Sequence, residues 1–449
     1  MQFQLTDDFI NQIEQLISLQ DGDALRELLH DFHFADVAEI LEELSFDEAV
    51  YLVKLLESEI TSEALMEVDD DVREKILDRL SPQEIAAELQ EMDTDDAVDV
   101  MGELDEDIQK QVIGQIEDTE HAADIVEMLK YDEDTAGALM AKELVRVKDN
   151  WTVAGCVREM RRQAENVTRV HSIYVVNKSG KLIGRLSLKD LLTVGEKTKI
   201  SEVFIPKVDY VTVHTDNEEV ARIMQKYDLE AIPVVDDNGV LVGRITIDDI
   251  VDFIKEEAER DYQMAAGISE DVEADDSIWK ITRARLPWLV LGLFGGLGAV
   301  LIMEGFDDAL AKYEILFFYT PLIAAMAGNV GVQSSAIIVQ GLANDNVKGS
   351  LFNRFVKEMG LSLINGLALG TLIIVVNSII GKPFDVSIAI AVSLLMVIFI
   401  AAIIGTFVPI ILDKRGIDPA IATGPFITTS NDIFGILIFF YISKLILGF

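Results

Sequence analysis

One cysteine, Cys156, occurs in 449 residues, so neither a disulfide framework nor a thiolate metal site can form within one chain. The five histidines are scattered, and no Gly-x-x-x-x-Gly-Lys-Ser/Thr loop occurs, so no nucleotide-driven energy source is visible. Bases are scarce: 37 Lys and Arg stand against 78 Asp and Glu, a net charge of −41. Residues 278–449 hold 10 acids and 11 bases, which leaves 68 acids and 26 bases in residues 1–277. A segment that acidic is a poor partner for nucleic acid and for anionic lipid. It is a plausible polyvalent sink for cations, with acidic solubility as the plainer reading. The start, Met1-Gln-Phe-Gln-Leu-Thr, has no basic region leading into an apolar core, so no signal peptide is expected and the acidic part is expected in the cytosol.

What is present divides the chain. Residues 1–132 read as short amphipathic helices with weak self-similarity: Asp36–Leu44, Glu84–Met92 and Asp96–Leu104 share an acid-first pattern with apolar residues at helical spacing. Ser81-Pro82 with Glu84 predicts a capped helix start, and Thr94 is expected to cap the next. The acids fall on outer faces, as in a small helical superhelix. Residues 133–247 change to β-branched runs and glycine turns. Ser172–Leu192 aligns with Ala231–Val251 at an offset of 59, with 8 of 21 positions identical. Each copy reads strand, turn at Gly180 or Gly239, strand, helix. The pair resembles tandem cystathionine-β-synthase (CBS) domains. In such modules Ser/Thr-x-x-Asp often holds an adenosine ribose, here Ser187…Asp190 and Thr246…Asp249; the Asp serves equally well as a cap of the following helix. A long helix then runs from Asp248 to about Ala266, with Asp249, Asp252, Glu256 and Glu259 on one face. Like charges at that spacing repel, so something should neutralise them. With the acidic linker Ser269–Ser277 this forms a segment 248–277.

Residues 278–449 carry five apolar runs long enough to span a bilayer, at about 286–303, 314–341, 357–380, 386–411 and 420–448. With a cytosolic N-terminus, the inside segments hold Lys280, Arg283, Arg285, Lys348, Arg354, Lys357, Lys414 and Arg415, against Lys312, Lys382 and Lys444 outside. That bias obeys the positive-inside rule and puts the C-terminus outside. Five spans make an open bundle, which favours a dimer with its pore on the two-fold axis. The last run contains Thr423-Gly-Pro-Phe-Ile-Thr-Thr-Ser-Asn-Asp432. A carboxylate at membrane depth costs about 2.5 kcal/mol or more, and a Gly-Pro break is tolerated only where backbone lines a cavity or is buried in protein. Broken helix, hydroxyls and one acid suggest a cation site on a permeation path; an Asp hydrogen-bonded inside the bundle is the alternative. Thr428 lies one turn before Asp432, so both can face one ion. Span two adds Asn329, Gln333, Ser334 and Ser335, whose amides and hydroxyls can point inward, while the glycines of span one (292, 295, 296, 298) suit helix packing. Asp413-Lys-Arg-Gly416 is similar to the phosphorylation motif of P-type pumps, but its loop is too short for a catalytic domain, so it reads as a basic turn.

Glu133-Asp-Thr-Ala-Gly-Ala-Leu139, Gly328-Asn-Val-Gly-Val-Gln-Ser-Ser335 and Gly424–Asp432, in this order, look like the bacterial magnesium transporter family MgtE. The resemblance covers essentially the whole chain. It implies a multidomain protein: an all-α superhelical N domain, an α/β tandem CBS pair, a plug helix and a five-span α-helical membrane domain. It further implies a homodimeric, non-enzymatic Mg²⁺ channel of the bacterial cytoplasmic membrane, shut when its cytosolic domains bind Mg²⁺. Gly424, Thr428, Asn329 and Asp432 would line the pore, with Asp432 paired with its twin. Mg²⁺ dehydrates reluctantly and prefers octahedral oxygen, which suits a wide carboxylate site. By the same resemblance, sensor acids are Asp93, Asp95 and Asp96; Asp216, Glu218 and Asp228; and Asp249, Asp252, Glu256, Glu257, Glu259 and Asp261, a set interrupted by Arg260. Ser187 and Asp190 would take ATP or another adenine nucleotide. Ala327 and Val332 stand where many family members have Gly and Asn, a departure that touches finer ion selectivity. The competing readings are a proton- or Na⁺-coupled secondary transporter with Asp432 as coupling acid, and a membrane-anchored CBS nucleotide sensor.

The charge arithmetic yields a test. Mg²⁺ is expected to compact residues 1–277 and protect them from protease, chiefly near residues 130–140 and 250–265. Monovalent salt of equal ionic strength screens repulsion but cannot bridge carboxylates, so it should protect much less. Equal protection by K⁺ and Mg²⁺ would leave the acidity as mere solubility.

Overall fold

The computed structural model describes residues 5–163, 170–270, 272–274, 276–343, 351–422 and 424–448. Thr423, Lys348 and, in the acidic linker, Asp271 and Asp275 lie outside the described residues. The chain forms two compact units, Met1–Ile254 and Lys255–Phe449.

The first unit opens with ten short helices: α1 (Asp7–Ser18), α2 (Gly22–Leu29), α3 (Phe34–Glu43), α4 (Phe46–Leu55), α5 (Ser58–Glu67), α6 (Asp70–Leu77), α7 (Pro82–Leu89), α8 (Thr94–Glu103), α9 (Glu106–Ile113) and α10 (Thr119–Met128). From α3 to α9 a helix begins every 12 residues, with N-caps at His33, Ser45, Glu57, Asp69, Ser81, Asp93 and Asp105. The apolar residue just before each cap recurs with the same spacing: Leu44, Leu56, Val68, Leu80, Met92 and Leu104. This repeat is stricter than the weak self-similarity expected above. It stops each helix after two or three turns, so alternate helices stack α3–α5–α7–α9 on one layer and α4–α6 on the other. At Ser81 the expected capping box is complete, with Ser81 Oγ accepting from Glu84 N and Glu84 accepting from Ser81 N at 2.7 Å. Thr94 does not cap α8. Asp93 holds the N-cap position, and Thr94 is buried as the first helical residue.

The CBS pair follows as β1 (Val145–Lys148), α11 (Val153–Gln163), β2 (Ile173–Val176), β3 (Leu182–Leu186), α12 (Leu188–Thr193), β4 (Val211–Thr212), α13 (Asn217–Tyr227), β5 (Ala231–Val235), β6 (Leu241–Thr246) and α14 (Ile247–Ala266). The sheets are β1-β2-β3 and β4-β5-β6, each with one parallel and one antiparallel pair. The 59-residue offset is reproduced in detail. Both sheets shift register at equivalent points, Val175/Val176 and Val234/Val235. The two hairpin turns bond to each other reciprocally, Leu182 N to Gly239 O and Leu241 N to Gly180 O, both at 3.1 Å. Gly180 and Gly239 sit at φ +79° and +78°, which L side chains rarely adopt. The 133–139 motif packs on the second copy: Ala136 N donates to Thr215 O and Gly137 N to Val213 O.

Among its described residues, the second unit contains five helices long and apolar enough to cross a bilayer. These are α15 (Ile278–Glu304), α17 (Thr320–Ala343), α18 (Leu351–Ile379), α19 (Phe384–Asp413) and α20 (Pro425–Leu447), with the short α16 (Asp307–Lys312) after the first. α19 is the most enclosed and packs against α17, α18 and α20. The last span begins at Pro425, not at 420: Pro419–Ala422 is a separate 3₁₀ turn, and Pro425 is the first residue of an unkinked start. The Asp413–Gly416 stretch closes the end of α19, with Gly416 at φ +69° and Ile417 N donating to Leu412 O.

Glu88 gives the fold a pH dependence. It is buried on α7, where Thr61 Oγ1 donates to it at 2.6 Å and Ser58 Oγ at 3.2 Å. Burial outweighs these bonds and pushes its carboxyl up to about 7. The stability it contributes is therefore full below the ordinary carboxylate range and is lost as pH rises through about 7. Glu88→Gln should stabilise residues 1–254 against urea by about 2 kcal/mol at pH 8 and by little at pH 5. The same gain at both pH values would contradict a buried charge.

Candidate functional sites: an acidic junction and a membrane cavity

In the first unit, three segments bring carboxylates together. α8 supplies Asp93, Asp95 and Asp96 from its first turn; the link into the CBS pair supplies Glu143; the start of α14 supplies Asp249. One oxygen each of Asp93, Asp95 and Glu143 lie within 4.8 Å of one another. Glu143 is held by α8 itself, accepting from Thr94 N at 3.2 Å and Thr94 Oγ1 at 3.0 Å. Arg244 donates to the Glu143 carbonyl and lies 3.4 Å from Asp93 Oδ2. Lys142 turns away to Glu127 and Asp124, at 3.1 and 3.9 Å. Arg244 thus sits beside Asp93 and near Asp249, whose charges it offsets.

Burial, then repulsion by Glu143, pushes the Asp93 carboxyl up to about 6 despite Arg244. Burial and the charges of Asp93 and Asp249 push Asp96 up to about 8. Asp95 is raised well above its ordinary range by burial and by Asp96, and Asp249 is raised by burial against the pull of its bonds from Thr246. Such a set prefers protons, or a hard cation that accepts oxygen ligands.

The other expected sensor acids are placed differently. Asp216 is the N-cap of α13 and accepts from Glu218 N at 2.9 Å. Asp228 is the left-handed C-cap of the same helix, so the two stand about 18 Å apart along it and cannot share one ion within a chain. On α14, Asp252, Glu256 and Glu259 are exposed, while Glu257 and Asp261 are half-buried. Arg260 pairs with Glu257 at 3.3 Å. In the first CBS copy, Ser187 is the cap and Asp190 its third helical residue: Ser187 Oγ accepts from Asp190 N at 3.1 Å and donates to Asp190 Oδ2 at 2.7 Å. Thr246 and Asp249 repeat the side-chain bond at 2.7 Å. Both Ser/Thr-x-x-Asp motifs therefore form helix-start bonds, with Ser187 rather than Asp190 in the cap position.

The second unit holds a cavity of about 430 Å³ between α17 and α20, lined by Ala324, Ala325, Gly328, Asn329, Val332, Gln333, Thr428 and Asp432. Asn329, Thr428 and Asp432 all line this cavity. Asp432 is half-buried and has no ion-pair partner among the described residues. Small residues make the space: a Cβ on Gly328 would lie 3.2 Å from Thr428 Cγ2 and 3.8 Å from Asp432 Oδ1. Behind it, a Cβ on Gly331 would overlap the buried Asn431 amide, and one on Gly405 of α19 would overlap the Gly331 backbone. Ser334 does not line the cavity; it donates to Glu358 of α18 at 2.9 Å. Ser335 is fully buried. Gly424 stands apart from the lining, pressed against the Ala265 carbonyl at the end of α14.

Family models match three regions: the MgtE intracellular N domain at residues 32–134, the CBS domain at 136–197 and 200–256, and the MgtE divalent cation transporter at 320–442. The chain is 36% identical over 323 residues to the magnesium transporter MgtE of Thermus thermophilus, covering 71% of this chain and 72% of that protein. The chain belongs to the MgtE family. The Bacillus subtilis MgtE is 37% identical over 317 residues, 70% of each chain. A crystal structure of the cytosolic domain of the Mg²⁺ channel MgtE in complex with ATP is 33% identical, with a TM-score of 0.51, covering 54% of this chain and 99% of that one. The N-domain match begins where the 12-residue ladder begins, and the transporter match starts at α17 and ends within α20, spanning both walls of the cavity.

Raised carboxyls at the junction make cation binding compete with protons. The affinity of residues 1–254 for Mg²⁺ should rise as pH goes from 6 to 8, with protons released on binding, and Asp93→Asn should flatten the dependence. Calorimetry in buffers of different ionisation enthalpy reads both quantities. An affinity that does not change with pH would exclude these groups as ligands.

Proposed function

We propose that this MgtE-family chain carries Mg²⁺ across the bacterial cytoplasmic membrane as a homodimeric channel, without chemical transformation of a substrate, and that cytosolic Mg²⁺ shuts it. The observation that carries the reading is Asp432: a carboxylate inside an apolar bundle, facing a cavity of small residues and amides, with no cation of the described protein beside it. Ionised carboxylates at such depth are retained where ions pass. Two copies would set two Asp432 side chains and two Asn329 amides about one axis, enough oxygen to hold a hydrated Mg²⁺ without stripping its shell.

A second copy is supported by an exposed apolar row. Leu188 and Leu192 on α12 are 43% and 85% exposed, and their counterparts 59 residues on, Ile247 and Val251 on α14, are 39% and 56% exposed. Exposed apolar residues at equivalent positions of the two copies suit a self-complementary contact. The N-terminal domains would be cytosolic and the C-terminus outside, as the basic turn at Lys414-Arg415 favours.

Closure follows from charge. Without divalent ions the five carboxylates of the junction repel, loosening α8 and Glu143 from the start of α14. Mg²⁺ bridges them and fixes α14, whose far end abuts Gly424 at the head of the pore helix. Asp252, Glu256, Glu257, Glu259 and Asp261 along α14, and Asp216, Glu218 and Asp228 at the two ends of α13, would add further weak sites. Several such sites give a steep response, since each shifts the equilibrium only by its differential affinity. An adenine nucleotide would bind at the first CBS copy through Asp190, whose second carboxylate oxygen is left by the Ser187 bond; Asp249 is already engaged at the acidic junction. The ATP complex of the related cytosolic domain supports nucleotide binding by such a domain.

Asp432→Ala should bring Mg²⁺ uptake in a transport-deficient strain to background while the dimer elutes unchanged. Wild-type uptake by that variant would remove the pore from this cavity.

A further inference from the structure

A second cavity in the membrane unit, of about 780 Å³, lies where the chain enters the bilayer. One wall is a single face of α15. Ile281, Arg285, Trp288, Leu289 and Gly292 all line it, and their three- and four-residue spacing stacks them along the helix. From Arg285 to Gly292 this face runs about 10 Å, from the first charged turn into the apolar part of the span. A Cβ on Gly292 would meet nothing within 4 Å, so the deep end is open.

The opposite wall is built rather than draped. Gln263 and Val272 exchange hydrogen bonds at 3.1 and 3.2 Å, and Ser269 donates twice to the Ala284 carbonyl, at 3.1 Å through its N–H and 2.9 Å through its hydroxyl. Two ion pairs tighten the turn, Arg283 with Glu270 at 3.1 Å and Lys280 with Asp276 at 2.9 Å. These pairings engage Lys280 and Arg283. Arg285, exposed at the mouth, has no ion-pair partner among the described residues. Glu273 of the linker lines the same mouth.

The arrangement is amphipathic in the sense of a lipid. A guanidinium and a carboxylate sit at interfacial depth, an indole lies beside them where Trp is favoured, and an apolar channel descends into the span. We propose that this groove binds one glycerophospholipid with an ethanolamine headgroup, its phosphate on Arg285, its ammonium toward Glu273, and an acyl chain along Trp288, Leu289 and Gly292. A planar guanidinium suits a phosphodiester. A headgroup with net negative charge would satisfy Arg285 but set its surplus charge against Glu273. Because Gly267, Ile268 and Pro425 also line the groove, the lipid touches both the segment that follows α14 and the first residue of α20, and its occupancy favours the arrangement in which they meet.

Native mass spectrometry of the full chain in detergent, with phosphatidylethanolamine and phosphatidylglycerol added in equal amounts, tests this without a transport readout. Wild type should retain the ethanolamine lipid at least about threefold over the glycerol lipid. Arg285→Ala should lose most of that retention. Glu273→Gln should erase the preference, and Gly292→Leu, which adds a side chain into open space, should block binding with both charges intact. Equal retention by wild type, Arg285→Ala and Gly292→Leu would overturn the site. A wild-type preference for the glycerol lipid would overturn the headgroup assignment.

Discussion

Repulsion among carboxylates that the fold itself gathers is the constraint on which the cytosolic half depends. Asp93, Asp95, Asp96, Glu143 and Asp249 come from three separate segments, and Arg244 lies beside Asp93 and Asp249. Burial makes the charges of the four aspartates more expensive than they would be in water, and their neighbours raise the cost further. The arrangement holds together because its scaffold does not rely on it. Thr94 ties Glu143 to α8 by two hydrogen bonds, and the 133–139 segment is stitched to the second CBS copy through its backbone. The result is a junction rich in carboxylates and poor in positive charge among the described residues.

The membrane half solves a different problem with the same kind of economy. A polar site in a bundle needs room without loss of packing, and side-chain deletion supplies it. Gly328 opens the cavity on one side of α17, while Gly331 lets the backbone of that helix meet Gly405 of α19 and the Asn431 amide of α20. Where lipid removes the hydrophobic drive for association, such close approach is what holds helices together. Asp432 is therefore positioned by neighbours that lack side chains as much as by those that have them.

Much of this was legible in the sequence. The capping box at Ser81, the 59-residue repeat, the five spans and the one-turn offset of Thr428 from Asp432 follow from local spacing, whereas Asn329 joins the last two from another helix, which spacing does not give. The 12-residue ladder was legible too, since a cap-like residue follows an apolar one at each step, but acidic residues crowd the caps and blur the pattern. Other features depend on which segments meet. Glu143 has no periodic context, and only the fold brings it under Thr94. Gly424 belongs to a motif that reads as one unit, yet its close approach is to Ala265, distant in sequence. Asp216 and Asp228 look like one acidic surface until α13 separates them by its full length.

Each helix of α3 to α9 rests on its immediate neighbours, so the N domain behaves as a one-dimensional stack whose stability is a sum over adjacent layers. Asp93 occupies the sixth rung of the seven caps. Everything that precedes it can lengthen or shorten by whole pairs of rungs without turning the carboxylates away from Glu143. Reach and chemistry are thereby separable: the number of rungs sets the length of the N domain, and the late rungs alone carry the carboxylates of the junction.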